Sequence, residues 1–225
     1  MSNKKVKGNS RILLIIFLAI IAAIIYFIYW LITIHMKIFE ILFGNGWLYF
    51  VFLIAGLLLS SINIPLYQTK EKDIIFVNAG GCLLPLGLSF YLLYKILYAV
   101  NPLMFLVAIF IVTVISRLVS WYEEGEGVWI FLTIVEISIV LLAHFLPFYS
   151  STNSDLIWLK MAFGYVIGTI GVLVGGDLIH IIRIGKDGRW RDKLSIGGAG
   201  TKDGIWTVGI ASMLLILLAN YFFGW

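Results

Sequence analysis

The sequence is short of the residues that build a water-facing exterior. Only 12% of its 225 residues are charged, while 61% are hydrophobic and the mean hydropathy is +1.03. An average soluble domain carries about a quarter charged residues. A soluble enzyme and an intrinsically disordered chain are therefore both excluded. There is a single cysteine, Cys82, inside an apolar stretch, which excludes an intramolecular disulfide. The three histidines, His35, His144 and His180, share no spacing suited to zinc, so neither a metal nor another cofactor is expected. The net charge of +4 is no sign of nucleic-acid binding, because basic residues on so apolar a chain report membrane orientation.

What the sequence has instead is long apolar runs. A helix needs about 20 mainly apolar residues to cross the hydrocarbon core. Seven segments qualify, at about 12–34, 47–65, 74–99, 102–119, 129–149, 156–182 and 204–224. They are too long and too uniformly apolar for the alternating strands of a membrane barrel. The expected fold is an all-α polytopic transmembrane helix bundle of about seven spans. Residues 1–46 form a basic tail with the first span, read as an uncleaved anchor. Residues 47–225 form a six-span bundle.

Orientation follows from the cations. With the N-terminus in the cytoplasm, 13 of the 16 Lys and Arg residues fall on the inner side, and only Lys37, Lys95 and Lys160 fall outside. Seven spans then put the C-terminus outside. Tryptophan agrees: Trp30, Trp47, Trp121, Trp129, Trp158, Trp206 and Trp225 all stand near a span end, where indoles prefer to sit. The chain is thus expected to be a multi-pass protein of the cell membrane, with the lipid bilayer as its first partner.

Ionisable and polar residues inside spans are costly and mark candidate sites. Asp177, in VLVGGDLIH, lies about one turn inside the inner end of the sixth span, with Gly176 before it and His180 one turn on. Gly164, Gly168, Gly171 and Gly175 form a small-residue stripe on another side of that helix, the pattern of close helix packing. Asp203 closes SIGGAGTKDG and opens the seventh span. It is either a functional carboxylate or only a helix cap. Gly197, Gly198 and Gly200 mark irregular backbone at the membrane edge, which needs burial in protein or a cavity to line. Glu136 lies in the fifth span at a depth comparable with Asp177, as a proton carrier or cation ligand or as a structural carboxyl held between helices. Asn78, Gly80, Gly81 and Pro85 interrupt the third span, where Pro85 should kink or break the helix. VNAGG and IGGAG echo each other, too thinly to establish an inverted repeat.

The combination of VNAGGCLLPLGLSFYLL, GTIGVLVGGDL and SIGGAGTKDGI resembles the prokaryotic membrane proteins grouped as domain of unknown function 1614, over roughly residues 74–215. That resemblance implies one module built from the three segments and implies no substrate. A weaker similarity is to intramembrane aspartyl proteases of the presenilin and prepilin-peptidase type, which set two aspartates on neighbouring spans, one in Gly-x-Gly-Asp. Here Val174 stands in place of the first glycine, Lys202 precedes Asp203, and a Pro-Ala-Leu element is absent.

Three functions compete. In an intramembrane aspartyl hydrolase, Asp177 and Asp203 share one proton, the ionised carboxylate activates water and the other polarises a scissile carbonyl of a transmembrane peptide. In a transporter or channel for a small solute or cation, Asn78, Glu136 and Asp177 line a path. In a non-catalytic scaffold the same residues only hold helices together. The hydrolase makes the sharpest prediction, that both aspartates face one cavity. Oligomeric state is not legible.

Overall fold

A computed structural model describes residues 3–68, 74–123, 127–149, 153–186 and 194–224. Two compact units are distinguished, Met1–Leu48 and Tyr49–Trp225. The first is essentially one long helix, α1 (Asn3–Phe43), whose 41 residues extend about 60 Å at 1.5 Å per residue. From Leu13 to Tyr29 its side chains are exposed on every face. An all-round apolar surface of this kind is suited to lipid.

The second unit is a helix bundle with small sheets at its ends. Its helices are α2 (Leu48–Leu59), α3 (Leu84–Ile96), α4 (Pro102–Leu118), α5 (Leu132–Phe145), α6 (Asn153–Val172), α7 (Ile179–Lys186) and α8 (Gly204–Phe223). Helix α6 is the hub, packing against α3, α4, α5 and α8. Its glycine stripe explains how four neighbours fit. A Cβ on Gly168 would press Ile139 of α5 and Val208 of α8, and one on Gly171 would stand 2.8 Å from the Val112 Cβ of α4. The stripe therefore sets close helix–helix approach.

Among the described residues, four helices are long and apolar enough to cross a membrane: Leu13–Phe43, Ala79–Ile96, Asp155–Arg183 and Gly204–Phe223. Three shorter apolar helices accompany them, Leu48–Leu59, Pro102–Leu118 and Leu132–Phe145. The chain is a mostly helical membrane protein. The 12 residues of α2 reach only about 18 Å, well short of the ~30 Å hydrocarbon core.

The purely helical expectation is corrected at the ends of the bundle. Strand β1 (Asn63–Gln68) pairs antiparallel with β2 (Ile74–Asn78), and β2 pairs parallel with β5 (Leu194–Ile196). A hairpin, β3 (Ser120–Glu123) and β4 (Gly127–Ile130), joins α4 to α5. Hydropathy alone misreads 74–78 as the start of a helix. Ile74, Ile75, Phe76 and Val77 are β-branched or aromatic and favour extended backbone once neighbouring strands are present. Pro85 sits in the first turn of α3, where its missing N–H is harmless, so it starts that helix rather than kinking it. Several basic residues used for orientation, Lys70, Lys72, Arg189, Arg191 and Lys193, lie outside the described residues.

Candidate aspartate site

Two segments of similar design meet at one end of the second unit. Strand β2 runs into a π-turn, Ala79–Leu83, and then α3; strand β5 runs into a 3-10 turn, Gly200–Lys202, and then α8. The two strands are parallel with Val77 opposite Ile196. VNAGG and IGGAG therefore lie side by side in one direction, not inverted. Gly81 faces Gly197 and Gly200 so closely that a Cβ on it would stand 2.9 Å from the Gly200 Cα. Gly197 and Gly200 have φ of +70° and +64°, the left-handed region that disfavours side chains. Glycine is required at this crossing by conformation and by contact.

Asp177 enters from a second π-turn, Leu173–Leu178, between α6 and α7. Such turns carry one residue too many for an α-helix and recur at functional sites. Half-buried, Asp177 accepts a hydrogen bond at Oδ2 from the Gly197 amide at 3.2 Å. Helix α6–α7 is thereby tied to the glycine crossing. Asp203, also half-buried, caps α8: its Oδ1 accepts from the Ile205 amide at 3.0 Å. Burial raises its carboxyl above the ordinary value, and bonds from the Ile205 and Ala199 amides pull it part of the way back. Asp177 and Asp203 lie within electrostatic reach of each other, and both within reach of the Cys82 thiol. The side chain of Ile130 approaches both Gly176, beside Asp177, and Gly204, beside Asp203.

The other sequence candidates divide. Asn78 is 0% exposed and spends its side chain locally: Oδ1 accepts from Gly81 N–H at 2.7 Å, and Nδ2 donates to Ser60 O at 2.7 Å and Asn63 Oδ1 at 3.1 Å. It is a structural knot. Gly80 packs against the end of α2, where a Cβ would stand 2.5 Å from the Ser60 amide. Gly198 packs against Ser195. Glu136 lies one turn along α5 from Leu132, whose side chain reaches Gly204; it is half-buried and makes no hydrogen bond or ion pair to either aspartate among the described residues. His180 turns away from the pair to Ser120 and Arg117.

Ser60, Asn63 and Ser195 escape a reading based on charge. Ser195 Oγ donates to Asn63 Oδ1 at 2.9 Å, and with Asn78 they stitch the three strands together. The run SSIN after the second apolar segment was the available signal. Chemically, two carboxyls, a fixed backbone amide and a side-chain-free glycine crossing are gathered at one place.

A sequence profile with the description "Protein of unknown function (DUF1614)" matches residues 52–215. None of the curated proteins or solved structures compared with the chain matches it.

Proposed function

The chain belongs to this family of proteins of unknown function, and we propose that its Asp177 and Asp203 form the paired carboxyls of an intramembrane hydrolase acting on an extended peptide segment. The observation that carries the reading is the convergence of the two aspartates, 26 positions apart, onto the same glycine crossing. Two nearby carboxyls in a poorly solvated place share one proton. The ionised member takes a proton from water as its oxygen bonds to the scissile carbonyl carbon. The protonated member hydrogen-bonds the carbonyl oxygen and returns a proton to the departing nitrogen as the C–N bond breaks. The glycines leave room for a substrate backbone to lie against protein backbone.

The transport reading is less well supported, because Asn78, one of its three path residues, is fully buried and has its side chain committed to Ser60, Asn63 and Gly81. A scaffold remains the competing account of Asp203 as a cap. Asparagine separates these roles, since it caps a helix about as well as aspartate but cannot ionise. In proteoliposomes with a model transmembrane peptide, wild-type protein is expected to release two fragments, with Asp177→Asn and Asp203→Asn each lowering the rate by at least a hundredfold. Unchanged cleavage by Asp203→Asn would reduce Asp203 to a cap and overturn the paired site.

A further inference from the structure

A second polar cluster lies where α4 ends and α7 begins, beside the β3–β4 hairpin and outside the aspartate site. Ser120 Oγ is 2.9 Å from His180 Nε2, and an Arg117 guanidinium nitrogen is 3.3 Å from that same Nε2. His180 and Ser120 are only 5% and 7% exposed. A guanidinium can only donate, so Nε2 accepts, and the imidazole is neutral with its proton on Nδ1. Arg117 has therefore found a neutral partner. Among the described residues its guanidinium makes one hydrogen bond, to that ring, and has no carboxylate within ion-pair distance, while its carbonyl accepts from Ser120 Oγ at 3.3 Å.

Among the described residues, this leaves a half-buried positive charge with most of its five donors unspent, beside a second cation. Arg183, exposed on α7 one turn beyond His180, lies within electrostatic reach of the same ring. A hydrogen bond to the ring nitrogen, itself within reach of Ser120 Oγ, holds Arg117 in place, where an ordinary surface arginine would extend freely into water. The level in the membrane is marked by Trp121 and Trp129, directly opposite each other on the hairpin and both exposed. Exposed indoles at a span end sit at the headgroup layer. The anion that matches a guanidinium fork at that level is a phosphate ester, which it binds through two parallel N–H···O bonds.

We propose that Arg117, held by His180 and Ser120 and assisted by Arg183, is a binding site for a phosphate ester at this end of the bundle. The ester comes either from an anionic phospholipid or from a soluble phosphate compound. The site uses neither aspartate and stands independently of the hydrolase reading.

The test uses the full chain in nanodiscs of phosphatidylcholine alone or with added phosphatidylglycerol. It reads lipid retention by native mass spectrometry and thermal unfolding, with inorganic phosphate against chloride at equal ionic strength as the second arm. A lipid source predicts retained phosphatidylglycerol and a higher unfolding temperature, with Arg117→Gln weakening retention on the order of tenfold or more, the loss of a charge-assisted bond. Arg117→Lys, which keeps the charge and loses the fork, should recover only part. Arg183→Gln, on an exposed side chain, remains informative if Arg117 variants fail to fold, and should weaken retention by a smaller factor. A soluble source predicts stabilisation of wild type by phosphate in phosphatidylcholine discs, abolished by Arg117→Gln. If neither phosphatidylglycerol nor phosphate distinguishes wild type from Arg117→Gln and Arg183→Gln, the site does not exist.

Discussion

Asp203 Oδ1 holds the first turn of α8 through the Ile205 amide, and that bond sets what each substitution should do. Asp203→Ala removes the cap and should cost about 1 kcal/mol; Asp203→Asn keeps it and should cost little. Thermal unfolding in detergent separates the two, and equal losses would mean the cap contributes nothing. The same carboxyl carries a pH signature. Its folded-state affinity for a proton is raised, chiefly by burial. As pH rises above the ordinary carboxylate range, the unfolded chain ionises first, so Asp203's contribution to stability falls until the folded carboxyl has ionised too. Stability should therefore decline with rising pH through that window, and less steeply in Asp203→Asn. Identical slopes for the two proteins would show that Asp203 is not shifted.

At the scale of elements, α6 is held at close range by absent side chains. Gly171 stands against Val112, and a Cβ on Gly175 would lie 3.0 Å from the Ser116 Cβ, so a valine at either position must push α4 away. Overpacking of this kind costs about 1–3 kcal/mol. Gly171→Val should lower the unfolding temperature, whereas Gly87→Ala on α3, with open space around it, should not. Comparable losses at the two positions would deny that the stripe sets helix spacing. That stripe was legible from its four- and three-residue spacing alone. So was the cap at Asp203, because aspartate before an apolar run is a local signal. The start of β2 was not legible, since an apolar run of four residues reads equally well as strand or helix and only its neighbours decide. Nor was the Arg117–Ser120–His180 cluster, whose members lie on segments about 60 positions apart and come together only when α4 meets α7.

For the whole molecule, hydropathy located each apolar helix but overstated the reach of some. Leu48–Leu59 stops before Ser60 and Ser61, and the apolar residues beyond them, Ile62, Ile64 and Leu66, belong to a turn and a strand. Asp177 and Asp203 could be read as a candidate pair, but not whether they approach each other. Nothing in the spacing of Asp177 and Asp203 said that α6 and α8 would be direct neighbours, and that packing is what brings the carboxyls within reach. The central claim is that these two groups act as one acid. Infrared spectroscopy of the carboxyl stretch, with the protein in lipid and pH varied, tests it without any assumption about substrate. A proton-sharing pair predicts one protonated carboxyl band persisting near neutral pH, displaced or lost in both Asp177→Asn and Asp203→Asn. Two bands that titrate independently, each untouched by substitution of the other residue, would contradict it.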